Sequence, residues 1–219
     1  MARSQAKGRL RFPFLAIPLA GMVGGWLLTA APVSQAGSSQ PILRVEEDWV
    51  LVLNEPKSNI NSPQFHTVMS PFDHLSSYYG QVTWNYWELP SFTAGGLQMQ
   101  IWNGDNCVRR TAPESRVLST AAETITWTQV LETDGADLSF SIENGSSSTW
   151  GTFLGFRAYT NANVANLSGY STSVSVDNSL ISYGSNRVVS LVITEVRKYD
   201  ATGLVSVDQV DKVVFQLSN

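Results

Sequence analysis

The chain has 219 residues, with 18 acidic and 14 basic side chains and a formal net charge of −4 at pH 7. This acidic balance disfavours nucleic acid and anionic lipid as partners, because both are polyanions. The single cysteine, Cys107, excludes an internal disulfide, so a folded domain must depend on its apolar core.

The first 36 residues predict a secretory signal peptide. Four basic residues among the first eleven precede an uncharged run over 12–31, and Ser34-Gln35-Ala36 then places small residues at the two positions that a signal peptidase recognises. We expect cleavage after Ala36, a mature domain over 37–219 with no membrane span, and a secreted, periplasmic or cell-surface location. The alternative is a retained anchor, since an uncharged run of this length just spans a bilayer.

Short apolar or alternating runs, each typical of a β-strand, recur along the rest of the chain. They cover 49–53, 66–69, 81–89, 97–101, 123–131, 138–142, 152–159, 173–176, 188–199, 204–207 and 212–217. Several are separated by turn-forming pairs, namely Asn103-Gly104, Asp134-Gly135, Asn144-Gly145 and Thr202-Gly203. About eleven strands without a helical pattern predict an all-β fold, a two-sheet antiparallel β-sandwich or jelly roll of concanavalin-like type.

The strongly apolar character of 50–53 and 213–217 favours central positions for the first and last strands. Two segments, Glu46-Glu47-Asp48-Trp49 and the ten residues 95–104, resemble segments of secreted planctomycete proteins with a lectin-like β-sandwich. The resemblance extends over about two-thirds of the mature chain. It implies export and a β fold, and it brings no activity with it.

Glu46 and Asp48 are candidate acid/base residues, because residues two apart on a strand share a face. Glycosidases with sandwich folds display carboxylates in this way. The retaining β-glucanases of this fold carry a third acid on the same strand, and here that position is apolar. The alternative interpretation is a solvated strand start.

Metal and nucleophile chemistry has weak support in the sequence. His66 and His74 are too far apart for a zinc pair without further ligands, which predicts ordinary loop histidines. For Cys107 we expect a buried, inert thiol. Calcium is a candidate cofactor, because some turns are rich in aspartate. These turns contain Asp134, Asp137, Asp208 and Asp211.

The aromatic residues give the strongest functional lead. Leu97, Met99 and Ile101 are expected to face the core together with Trp84, which places Gln98, Gln100 and Trp102 on the opposite, outward face. Trp87 is also out of phase with its apolar neighbours. Amide side chains beside an indole suit sugars, which stack on aromatic rings and offer hydroxyls for hydrogen bonds. The alternative is that this second face is also covered.

These observations favour a secreted, non-catalytic β-sandwich that binds glycans or another cell-surface polymer, with Gln98, Gln100, Trp102 and Trp87 as its ligand-binding residues. Two alternatives remain. One is a carbohydrate-active hydrolase or lyase on the same fold, which requires a groove with two carboxylates. The other is a structural or adhesive envelope protein with exposed edge strands.

Overall fold

The strands of the chain pair into two antiparallel sheets. The computed structural model describes residues 40–55, 63–86, 95–116, 118 and 122–218, and 39–219 form one compact unit. In chain order the elements are β1 (Arg44–Leu53), β2 (Gln64–Met69), β3 (Tyr78–Tyr86), β4 (Gly95–Asn103), β5 (Asn106–Glu114), β6 (Glu123–Thr133), β7 (Asp137–Ser147), β8 (Gly151–Phe153), β9 (Phe156–Asn161), α1 (Thr172–Asn178), β10 (Leu180–Tyr183), β11 (Val188–Asp200), β12 (Gly203–Asp208) and β13 (Lys212–Gln216).

The large sheet has eight strands and the small sheet has five. The large sheet runs in the order β12-β11-β1-β6-β7-β8, with β13 also paired to β11 and β9 also paired to β7. The small sheet runs in the order β10-β2-β3-β4-β5. The two sheets pack face to face, which confirms the predicted all-β sandwich.

Two-residue alternation puts one face of each sheet into a common core. In the small sheet Leu97, Met99 and Ile101 are fully buried, as predicted. Trp84 is also fully buried, and its ring lies 4.3 Å from that of Trp127 on the facing sheet. The indoles therefore join the two sheets, and Trp84 is confirmed as a core residue.

Several details of the strand prediction are wrong. The predicted strand at 173–176 lies in α1, where Ser175 and the nearby Tyr170 donate hydrogen bonds to a buried carboxylate. This tertiary contact overrides the strand preference of the two valines, Val174 and Val176. The last strand, β13, lies on the outer side of β11 and not in the centre, and Asn144-Gly145 lies inside β7. The strands β5 and β10 were not predicted.

The predicted signal peptide and its cleavage site lie outside the described residues. Within the described ranges, no helix combines the length and the apolar composition that crossing a membrane requires.

Gly80, on β3, packs closely against the facing sheet. A Cβ atom added to Gly80 would lie 2.4 Å from Cγ of Phe140, a fully buried ring on β7. We therefore expect Gly80→Ala to lower the free energy of unfolding by about 1–3 kcal/mol, because the ring must move within a packed core. Urea unfolding tests this. Thr124→Ala, at an exposed position of β6, is the control and should change stability by less than about 0.5 kcal/mol.

Candidate functional site

The residues predicted to bind a ligand lie on the outer side of the small sheet, but two of them are buried. Gln98, Gln100 and Trp102 project away from the core, opposite Leu97, Met99 and Ile101. Both glutamines are only 1% exposed, whereas Trp102 is half-buried. The expectation that these amides are exposed is therefore wrong, because this second face is covered as well.

The amides of this face bind one another. Gln100 Nε2 donates to Gln98 Oε1 at 3.1 Å, and Gln100 Oε1 accepts from Gln81 Nε2 at 3.2 Å and from Trp102 Nε1 at 2.8 Å. The Trp102 ring also stacks on Tyr79 at a centroid distance of 6.3 Å. These contacts satisfy polar groups that burial would otherwise leave costly. Trp87 lies outside the described residues.

The outer face of the large sheet is polar and open, and it begins with the predicted pair Glu46 and Asp48. The two side chains share one strand face, as predicted; this face points away from the core, and both carboxylates bind the Arg197 guanidinium of β11. Arg197 Nε donates to Glu46 Oε2 at 2.6 Å, and its two terminal nitrogens donate to Asp48 at 2.6 and 2.9 Å. Glu195 is a third partner of Arg197.

A second guanidinium extends this network across the sheet. Arg44 binds Glu46 at 2.7 Å, Glu143 at 3.0 Å and Glu132 at 3.4 Å. Burial alone would raise the pKa of Glu46, but hydrogen bonds from Arg197 and Arg44 outweigh it and lower the pKa. The two arginines therefore keep Glu46 ionised at neutral pH.

A depression of this face lies beside the network, and we name it the Ser139 depression. It has a volume of about 460 Å³ and is lined by Glu132, Thr133, Asp134, Asp137, Ser139, Arg157 and Tyr159. Three of these residues form one row across the sheet, since Ser139 on β7 pairs with Glu132 on β6 and with Tyr159 on β9. A short side chain between two long ones forms the floor. The two walls are about 10 Å apart, twice the strand spacing.

The floor and one wall of the Ser139 depression have distinct properties. Ser139 is only 5% exposed, and it lies on the floor between Glu132 and Tyr159. Tyr159 is 58% exposed, and its ring carries the Arg109 guanidinium at 5.6 Å on one side. The depression thus combines a recessed hydroxyl with an accessible aromatic ring.

The acidic side chains around the depression differ in the hydrogen bonds that their carboxylates already accept. The Asp134 carboxylate accepts the backbone N–H groups of Ala136 and Asp137 at 2.9 and 2.8 Å, and these bonds lower the pKa of Asp134. Asp137 has a longer contact, 3.4 Å, from Asn161 Nδ2. Asp134 thus stabilises the β6–β7 turn, whereas Asp137 and Glu132 keep acceptor capacity for other groups.

A smaller depression of about 380 Å³ lies on the same face around Asp48 and Arg197. Thr128 Oγ1 donates to Asp48 Oδ1 at 2.7 Å, so Asp48 is held by Thr128 as well as by Arg197. Sequence reasoning found Glu46 and Asp48 but missed Arg44, Arg197, Ser139 and Tyr159. The alternation in β7 and β9 shows that Ser139 and Tyr159 are out of phase with the apolar residues, but it does not show which strands are neighbours.

A buried carboxylate lies on the opposite side of β1. Glu47 is fully buried and accepts hydrogen bonds from Trp49 Nε1 at 2.9 Å, from Tyr170 OH at 2.6 Å and from Ser175 Oγ. Burial raises the pKa of Glu47 to about 7, although the three hydrogen bonds act in the opposite direction. Glu47 therefore connects the central strand to the segment that contains α1.

The remaining candidates have structural partners. His66 lies on β2 and not in a loop, and burial lowers its pKa, whereas Nδ1 of His74 lies 2.9 Å from Ser76 Oγ in a turn. Cys107 is half-buried with a pKa raised by burial, and Asp208 binds Lys212 at 2.9 Å. Among the described residues, no group of three or more His, Cys, Asp and Glu side chains is arranged to hold a metal ion.

The two segments that resemble planctomycete proteins lie in central strands. The first belongs to β1, in the middle of the large sheet, and the second covers β4 and the turn that follows it. No protein-family model matches the chain, and no match was found among curated proteins or among solved structures.

Proposed function

We propose that the protein is an exported glycan-binding β-sandwich whose binding site is the Ser139 depression. The observation that carries the proposal is the exposed Tyr159 ring on the wall of a depression whose floor, Ser139, is polar. The basic start, apolar run and small residues over 1–36 support export.

The chemistry of the walls favours a carbohydrate. Tyr159 offers an exposed ring on which the apolar side of a sugar packs, and Glu132, Asp137 and Arg157 offer acceptors and donors for hydroxyl groups. Recognition sites of this kind combine apolar rings with a few polar groups. An open depression on a sheet face also admits an internal segment of a polymer, which a closed pocket would reject.

The charges of the outer face favour binding over hydrolysis. A glycosidase needs one carboxylic acid that stays protonated at the working pH and a second carboxylate nearby. Glu46 has a lowered pKa, and the Arg197 guanidinium binds both Glu46 and Asp48. An acid that two arginines keep ionised is a poor proton donor.

Glycan binding and its location can be tested with two substitutions in the depression. We expect the full-length protein to bind a hexasaccharide in isothermal titration calorimetry. Tyr159→Ala removes the ring and Ser139→Phe fills the floor, so each should weaken binding about ten-fold or more, a loss of about 1.4 kcal/mol. Because Tyr159 is exposed, its loss should leave the melting temperature nearly unchanged.

The matched variant on the small sheet is Trp102→Ala, which removes the indole of the face predicted from the sequence. If the Ser139 depression is the site, Trp102→Ala retains affinity. Loss of affinity in Trp102→Ala alone would move the site to the small sheet. A protein that binds no glycan of any class would refute the proposed function.

A further inference from the structure

We infer that the protein forms a two-fold symmetric dimer through one edge of its large sheet, where β12 of each copy pairs with β13 of the other. This edge is apolar and exposed. Five aliphatic side chains that are 46–67% exposed lie within ten residues of the chain, namely Leu204, Val205, Val207, Val210 and Val213. An exposed apolar edge is a template for pairing with another chain. The edge is therefore suited to a partner strand.

The strands β12 and β13 follow one another along the same side of β11. β12 pairs with 196–200 and β13 with 190–193, while β1 pairs along the other side of β11. Both strands run antiparallel to β11, and neither has a second neighbour among the described strands. The two strands thus form one edge, interrupted by 209–211, and its outward backbone N–H and C=O groups are available to a further strand.

The chemistry of this edge is symmetric about Val210. Val207 and Val213 are equally far from Val210 along the chain, and so are Asp208 and Lys212, which carry opposite charges. An antiparallel pairing centred on Val210 therefore places Val207 opposite Val213 of the second copy, and Asp208 opposite Lys212 of the second copy. Because a two-fold axis makes every such contact twice, the edge is complementary to itself. A second copy of this chain is the partner that fits it.

The side chains that meet in this pairing lie on the same face of the sheet. Val207 pairs with Arg197 and Val213 pairs with Val192, and both of these β11 residues lie on the outer face. The two charged residues lie on the opposite face, each beside a core-facing residue of β11. Apolar groups therefore meet apolar groups, and charges meet charges of opposite sign.

The irregularities of the two strands also match. The register against β11 shifts between Leu204 and Ser206 in β12, and between Val213 and Phe215 in β13. Pairing about Val210 places these two shifts opposite each other. The residues 204–208 and 212–216 can then pair as two five-residue ladders, in which outward positions stay opposite outward positions.

The charged pair gives the contact its specificity. Asp208 and Lys212 bind each other within the chain at 2.9 Å. At the axis two such pairs lie side by side, so each charge has an opposite charge in its own chain and another in the second copy. The ten paired residues of each copy are fewer than the roughly 20–30 of a standard interface, so we expect a weak dimer with a dissociation constant on the order of 10 μM.

Sedimentation equilibrium of the full-length protein, from about 1 to about 200 μM, tests the edge, and we expect a monomer–dimer equilibrium. Val207→Lys places a charge opposite an apolar side chain and should raise the dissociation constant about ten-fold or more. Leu154→Lys is the matched control, since Leu154 is 61% exposed in the connection between β8 and β9. It should leave the dimer unchanged. Circular dichroism shows that both variants are folded.

A charge exchange tests the register. Asp208→Lys gives each copy two positive charges at the contact, and Lys212→Asp gives each copy two negative charges there. Each variant alone should dimerise about ten-fold more weakly than the unmodified protein, because like charges then face each other. An equimolar mixture restores both opposite-charge contacts and should dimerise about ten-fold more tightly than either variant alone.

Four results would overturn the inference: a monomer over the whole concentration range, a dimer that survives Val207→Lys, a dimer that is lost in Leu154→Lys, or a mixture that associates no more tightly than its components. Growth beyond the dimer would also overturn it, because a two-fold contact closes on itself. None of these results bears on glycan binding, so the proposed function stands or fails separately.

Discussion

Trp84→Ala should lower the free energy of unfolding by about 3–5 kcal/mol, because it leaves a large cavity between the two sheets. Trp84 is fully buried, and its ring lies 4.3 Å from Trp127, 5.4 Å from Phe65 and 5.7 Å from Trp150. Its Nε1 also donates to Thr67 Oγ1 at 3.3 Å, a hydrogen bond that the substitution removes. Guanidinium unfolding followed by circular dichroism measures the loss.

The control for this substitution is Tyr159→Ala, which removes an aromatic ring of similar size from the surface. Because Tyr159 is 58% exposed, the control should cost less than about 1 kcal/mol. Equal losses in the two variants would contradict the assignment of Trp84 to the shared core.

Glu47→Gln should change how stability depends on pH. The pKa of Glu47 is about 7 in the folded protein, against an ordinary value of 4.5, so folding takes up a proton between these pH values. The stability that Glu47 contributes is complete below pH 4.5 and is lost as the pH rises through 7. The stability of Glu47→Gln relative to the unmodified protein should therefore increase by about 2.5 kcal/mol between about pH 5 and about pH 8.

Glu47→Gln must be compared with the unmodified protein at each pH, because His66 titrates in the same range and changes the stability in the opposite direction. Burial lowers the pKa of His66, so the stability that His66 contributes is lost as the pH falls. This contribution is the same in both proteins and cancels when they are compared at each pH.

Glu46→Gln, at the neighbouring position of β1, is the control. The pKa of Glu46 is lowered in the folded protein. The loss of stability caused by Glu46→Gln should therefore be complete above pH 4.5 and should become smaller in more acidic solution. A pH-independent effect of Glu47→Gln would show that Glu47 binds no proton on folding.

The sequence predicts the fold class because alternation is a local property. Leu97, Met99 and Ile101 show their common face without any knowledge of neighbouring strands, and so do Val82 and Trp84. Alternation fails where burial is incomplete. Strand β5 carries Arg109, Arg110 and Pro113 at the edge of the small sheet, and nothing in this sequence distinguishes it from a loop. The helix α1 was missed because its contact with Glu47 lies 128 positions away.

The candidate site could be predicted only in part, because alternation is local and does not show which distant strands become neighbours. That Glu46 and Asp48 share a face follows from their spacing, but Arg197 is about 150 positions away and reaches them only because β11 pairs with β1. Ser139 and Tyr159 are likewise joined by strand pairing. For Gln98 and Gln100 the alternation gave the right face and the wrong exposure, because local spacing does not report what covers a second face.

The pairing of β1 with β11 determines when the sandwich can form. The paired residues Leu53 and Val188 are 135 positions apart along the chain, and Arg44 and Tyr199 are 155 apart. Closing such a separation is entropically expensive and makes folding slow, and during synthesis it must wait until residue 199 has been made. The large sheet therefore cannot close around its central strand until most of the chain is available, which leaves the early strands without their partner for most of the synthesis.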